Sequence, residues 1–211
     1  MITNKQKGIN FKGLELTTRK GVNSILRVYQ EATSKEMLNF WYNDAHKYGL
    51  KLQMLAYNKN SYYTIAQTLG VIAALSPLKS WDENKRIAKS FILGGSSYHT
   101  KIMTSKARAI LDSDGSPEAI CDILGGNKIT RFFLNMLYPH KDNIATIDRH
   151  AIAVVLGRSA SDKEAQLTNK QYLFFENCYI IAAQKLDINT NNLQAITWEA
   201  WRRLKKEGEV I

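Results

Sequence analysis

The chain has 211 residues, 45% of them hydrophobic, so it can bury a substantial core as one domain or as two closely packed lobes, and it is not a disordered tail. Its formal net charge of +10 favours a polyanionic partner through counterion release. Three prolines, twelve glycines and no low-complexity run argue against long linkers. No apolar run approaches the length of a membrane span, and Met1 to Lys7 lacks a secretion signal's apolar stretch, so a soluble intracellular protein without a membrane partner is expected.

In chain order the pattern predicts helix after helix. Thr33-Ser34-Lys35-Glu36 has the form of a capping box, followed by Met37, Phe40, Trp41, Ala45 and Tyr48 on one face and a stop at Gly49. Ser61 is the expected cap of a helix through Ile65, Leu69 and Ile72 that stops at Pro77. Ser80-Trp81-Asp82-Glu83 has the form of a further capping box, opening a helix that ends at Gly94-Gly95. Thr104 is the expected start of the helix bearing Lys106, and Ser116-Pro117 starts a short helix with proline in its first turn. Ala151 to Leu156 is apolar with a stop at Gly157, Thr168-Asn169-Lys170-Gln171 is another capping box, and a last helix covers about 193–206. No alternating pattern is long enough to predict a sheet.

The most informative stretch runs from Leu124 to His150. Gly125-Gly126 lies between Ala119–Leu124 and Ile129–Leu137, both apolar at helical spacing, so the pair forms a turn between helices. Such a hairpin leaves backbone N–H groups at the start of the second helix pointing outward, where they can hold a phosphate. Asp148 follows in an apolar setting that opens a further helix. Read alone, such a carboxylate is a favourable helix-dipole partner; behind a phosphate-binding hairpin it becomes a candidate for catalysis.

These segments resemble the helix-hairpin-helix DNA glycosylases of the endonuclease III type, which carry a Leu-Pro-Gly-Val-Gly-like hairpin followed at the same interval by a Val-Asp-Thr-His element. The counterparts are Leu124-Gly125-Gly126-Asn127-Lys128 and Ile147-Asp148-Arg149-His150. Val71-Ile72-Ala73-Ala74-Leu75-Ser76 is similar to the family's apolar helix ending in Leu-Ser, and Ser105-Lys106-Ala107-Arg108-Ala109-Ile110 to its Ser-Lys-Ala-x-x-Ile helix. Order and spacing agree from about residue 65 to 157.

The resemblance implies an all-α glycosylase-like unit over 1–211, with two intimately packed helical lobes and a cleft between them. One lobe is 65–157 with the hairpin at 124–130, and the other combines 1–64 with 158–211. It further implies a monomer that binds double-stranded DNA and flips a damaged, mismatched or modified base out for excision, as in DNA repair. Losing a base builds positive charge on the sugar, which a carboxylate stabilises while it positions or deprotonates water; Asp148 takes that role. Gly125, Gly126, Asn127, Lys128, Thr130 and Lys106 are the expected DNA-binding residues. Leu78, Lys79 and Trp81 stand where the family carries pocket or gap-filling residues, although a tryptophan in the position of Trp81 is more often just a core anchor. His150 either steadies the Asp148 turn or is a plain structural histidine.

Three departures shape the expected chemistry. Bifunctional relatives place a Schiff-base lysine where this chain has Thr130, which implies a monofunctional hydrolase with weak or absent lyase activity. Gly125 replaces the hairpin's proline and Lys128 its last glycine, so the Lys128 side chain either obstructs backbone approach or itself reaches a phosphate. Two cysteines, Cys121 and Cys178, cannot hold the four-cysteine iron–sulfur cluster of several relatives and are read as buried thiols; four scattered histidines show no zinc spacing. The resemblance leaves a hairpin-bound monovalent cation as the one expected ion, and a cytoplasmic or nucleoid-associated location, in the host cell if the protein is viral. Two alternatives remain open: the same fold modifying or processing hypermodified bases in viral DNA, and a non-catalytic helix-hairpin-helix DNA-binding module. Trp198 and Trp201 on the last helix are read as packing.

Overall fold

The computed structural model describes residues 8–38, 40–96 and 99–208; the opening Met1 to Lys7, read above for a leader, lies outside them. Two strands come first, β1 (Gly8–Phe11) and β2 (Leu14–Thr17), then α1 (Thr18–Gln30), α2 (Ser34–Met37), α3 (Trp41–Tyr57) and α4 (Ile65–Ala74). They are followed by α5 (Trp81–Ile92), α6 (Lys101–Leu111), α7 (Pro117–Leu124), α8 (Asn127–Leu137), α9 (Arg149–Leu156), α10 (Asn169–Leu186) and α11 (Thr190–Glu207). The protein is therefore predominantly helical, and among the described residues no helix is long and apolar enough to cross a membrane.

One expectation fails at the start of the chain, where β1 and β2 pair antiparallel with Ile9 opposite Leu16 and Phe11 opposite Leu14. Lys12 and Gly13 both adopt positive φ, as a tight two-residue hairpin turn demands, and the Asn10 side chain accepts the Gly13 N–H at 3.0 Å. Four-residue strands are too short to show alternation in sequence. Ile9, Phe11 and Leu16 are buried, and Phe11 meets Phe175 edge-on at 5.0 Å.

The described residues form two compact units, 8–41 with 140–208, and Tyr42–Pro139. These boundaries differ from the expected 65 and 157. Gly49 lies in the interior of α3 instead of ending it, because a Cβ there would stand 2.4 Å from Leu69 Cδ2, so its bare backbone is what lets α3 approach α4. His46 Nδ1 lies 2.8 Å from the Met136 carbonyl, a second tie that places α3 with the central unit. At the other boundary, α9 belongs with the terminal helices: the Ser24 hydroxyl donates to the Val154 carbonyl at 2.5 Å, and Gly21 backs onto Val155 and Cys178. Asp148 consequently lies in the terminal unit.

Local capping explains most helix ends. Thr33, Thr64 and Thr168 each accept the amide of the third helical residue while Glu36, Gln67 and Gln171 return the bond, three complete capping boxes. Thr64, not Ser61, starts α4, because Gln67 stands three residues after it and also donates to the carbonyls of Ile110, Leu111 and Ser113. Thr100, not Thr104, caps α6. Ser80 and Ser116 cap α5 and α7, although the box expected at Ser80 is only half formed, because the Glu83 carboxylate pairs with Lys79; Gly157 ends α9 in the left-handed conformation.

Candidate functional site

Asp148 is the N-cap of α9. Extended backbone at Asp148 turns the chain into the helix, Oδ1 accepts the Ala151 N–H at 2.8 Å, and Oδ2 accepts the indole N–H of Trp198 on α11 at 3.2 Å. The strand of backbone leading in is gripped from α10. The Tyr172 hydroxyl accepts the Ile147 N–H and donates to the Ala145 carbonyl, both at 3.0 Å, and Glu176 Oε1 accepts the Ala145 N–H at 3.2 Å. Ala145, Thr146 and Ile147 are buried while Asp148 is half-exposed, so a fixed stalk presents a carboxylate that solvent still reaches.

Aromatic and cationic groups gather around it. The His150 ring meets the Trp198 indole edge-on with centroids 5.6 Å apart, and the Arg202 guanidinium carbon sits 4.4 Å from the indole centroid. Burial pushes His150 below the ordinary histidine pKa, with Arg202, Lys205 and Arg149 adding to the effect and Asp148 opposing it. Arg149, next to Asp148 in sequence, forms its ion pair with Asp162. From sequence, both tryptophans are expected to pack. That holds for Trp201, which is 3% exposed, but Trp198 is half-exposed and carries the bond to Asp148. Residues three apart neighbour each other on one side of a helix, so spacing along α11 does not tell Trp198 from Trp201, and no sequence signal links either to a residue 50 positions away.

The hairpin residues belong to the central unit. Gly125 and Gly126 have φ of 57° and 68° with extended ψ of 162° and 138°, a conformation open essentially to glycine alone. Gly126 supplies no side-chain cap, and both glycines are exposed at the start of α8. Asn127 and Thr130 are half-buried, whereas Lys128 is exposed on the first turn of α8 in helical conformation, where a non-glycine residue meets no backbone penalty. Lys106 Nζ donates to the Leu124 carbonyl at the end of α7, a cation on the negative end of that helix that ties α6 to the hairpin.

Leu78, Lys79 and Trp81 also fall in the central unit, in the turn between α4 and α5. The Lys79 N–H donates to the Ser76 carbonyl at 3.2 Å, with Pro77 second in the turn and Leu78 third at φ 61°, the place where a type II turn ordinarily holds glycine. Leu78 is 99% exposed. His99, which sequence reasoning had not singled out, fastens this turn: its Nδ1 lies 2.7 Å from the Thr100 N–H and accepts it, which leaves the proton on Nε2 to donate to the Pro77 carbonyl at 3.0 Å. Lys79 pairs with Glu83 at 2.7 Å. Trp81 is half-buried, edge-on to Tyr48, with Lys85 Nζ 5.7 Å from its centroid, an anchoring arrangement.

Cys178 is fully buried and its thiol is pushed up to about 12; Cys121 is half-buried, which departs from the expected pair of buried thiols. Among the described residues no three histidine, cysteine, aspartate or glutamate side chains form a group able to hold a metal ion.

No curated protein and no solved structure matches the chain. A family model described as a family of unknown function, DUF7178, matches residues 8–205, and the chain belongs to that family.

Proposed function

We propose that the protein is a monofunctional DNA N-glycosylase that releases a damaged, mismatched or modified base from double-stranded DNA as a monomer. The observation that carries this reading is the Asp148 carboxylate: half-exposed, held on a fixed backbone, and bonded through its two oxygens to two neutral donors, an amide and an indole. Neutral donors orient a carboxylate without cancelling its charge, and an oriented negative charge is what a cationic sugar needs.

In the proposed reaction the C1′–N bond breaks and its electron pair leaves with the base. Asp148 stabilises the positive charge that develops on C1′ and the ring oxygen. A water molecule then adds to C1′ and passes one proton to Asp148, which gives it up to solvent, while the departing base takes one proton from solvent; the net change is one water split between the sugar and the base, with the carboxylate regenerated. Thr130 has no amine to form a Schiff base, so the product is a free base and an intact abasic strand. The Gly125-Gly126 turn and the exposed Lys128 supply backbone and ammonium donors for phosphate. Leu78 offers an apolar side chain large enough to fill the space that a flipped base vacates.

The test is mass spectrometry of small molecules released from a panel of natural and modified DNAs by the wild type and by Asp148→Asn, with DNA affinity measured alongside at several salt concentrations. Free base from the wild type alone, with DNA binding retained in the variant, is the expected outcome. A base altered within the polymer would move the activity to DNA modification. Salt-sensitive binding with no change to the DNA would make the chain a binding module.

A further inference from the structure

The indole of Trp198 touches the one side chain on which the proposed reaction depends, and it does so from a different helix. We infer that Trp198 is a positioning residue for Asp148, with Arg202 stacked on it as its support. This inference rests on the glycosylase reading and adds a residue to its machinery.

The argument starts from the two oxygens of Asp148. Oδ1 is committed to the Ala151 N–H by the helix-capping geometry, which alone leaves the carboxylate free to rotate about that bond. The Trp198 N–H at Oδ2, 3.2 Å away, removes that freedom. Indole is a donor only, so Trp198 cannot take a proton from the site or compete as a base. Both donors are uncharged, so the carboxylate's orientation is fixed while its charge stays available. Two of the neighbouring cations have other partners: Arg149 pairs with Asp162, and Arg202 lies over the face of Trp198 at 4.4 Å. A cation on the indole face polarises the ring and strengthens its N–H as a donor. His150 closes the edge of the same ring at 5.6 Å. Asp148, His150, Trp198 and Arg202 thus form one array on α9 and α11, built around a carboxylate that is oriented and left charged.

The test uses the full chain and two readouts. The protein has four tryptophans, so the indole N–H region of a nitrogen–proton correlation spectrum holds four resonances, and Trp198→Phe identifies one of them by its loss. That resonance is expected to move upfield in Asp148→Ala. In base-release kinetics, Trp198→Phe is expected to lower kcat roughly 10- to 100-fold, the effect of one lost hydrogen bond to a charged group, with KM and DNA affinity unchanged. A purely structural role would instead leave kcat intact or lower kcat and affinity together.

An indole resonance that does not respond to Asp148→Ala overturns the contact whatever the kinetics show. Unchanged turnover in Trp198→Phe, in a protein whose Asp148→Asn variant is inactive, overturns the role of Trp198 and leaves the glycosylase reading standing. No base released by the wild type overturns that reading and the role of Trp198 with it. Trp198→His, which keeps a ring N–H near the same place, is the folding control, and a kcat above that of Trp198→Phe supports the inference.

Discussion

Leu78 offers a sharp separation of stability from function. The side chain is 99% exposed, so folding has gained almost nothing by burying it, while its backbone sits at φ 61°, where a non-glycine residue costs about 1–2 kcal/mol. Leu78→Gly removes that strain but adds about 0.5–1 kcal/mol of unfolded-chain entropy. The expected change is a stabilisation of roughly 0–1.5 kcal/mol, read as a urea midpoint that holds or rises with an unaltered slope. Function is expected to move the other way. A leucine fully exposed in the free protein has its whole side chain to bury against DNA, worth about 1.5–3 kcal/mol, so kcat/KM for base release is expected to fall roughly 10- to 150-fold. Leu78→Asn, which also tolerates the left-handed conformation, is expected to behave like glycine in both assays. A loss of stability above about 1 kcal/mol in either variant would show that Leu78 packs in the folded protein, and undiminished base release would remove it from the proposed mechanism.

Two further outcomes test the local physics. The Arg158 guanidinium, at 2.6 and 3.1 Å, holds Glu164 down to about 2 from an ordinary 4.5, and the Ser161 amide and hydroxyl add to it. A depressed carboxylate stabilises the fold above its unfolded pKa and loses that stabilisation as pH falls from about 4.5 to about 2. Linkage alone allows about 3 kcal/mol, but Arg158 is 47% exposed and solvent screening reduces this to about 1–2 kcal/mol. Glu164→Gln is therefore expected to lower the urea midpoint at pH 7 and to match the wild type near pH 2; an equal deficit at both pH values contradicts the ion-pair account. Gly126→Ala places a methyl group in open space yet forces alanine to φ 68°, ψ 138°, so it is expected to cost about 1–3 kcal/mol in thermal melting through backbone strain alone. An unchanged Tm would mean that the turn relaxes to another conformation.

The features legible in sequence are those decided within a few residues. Thr33 and Thr168 with their partners three positions on, Ser80, Ser116-Pro117 and the stop at Gly157 all act through bonds spanning three to five residues, and each stands where the sequence placed it. The same local logic misread Gly49 as a stop, because a helix-interior glycine that admits the Leu69 side chain has the same letter as one that ends a helix. It missed α1, and it missed a β-hairpin whose strands have four residues each.

Asp148 itself was singled out from its place behind the Gly-Gly turn, and its capping bond to Ala151 is a three-residue event that sequence can express. What surrounds it is not. Trp198 donates from 50 residues away, Tyr172 and Glu176 grip the entering backbone across 25 to 31 residues, and His99 fastens the Leu78 turn from 22 residues away. Composition and periodicity determine which helices form and which faces they bury, because those depend on neighbours along the chain. Which side chains then meet depends on how the helices pack, and one turn's shift along α11 would carry Trp198 about 5.4 Å from Asp148 without altering a residue. The carboxylate was written in the sequence; the indole that orients it was decided by the tertiary structure.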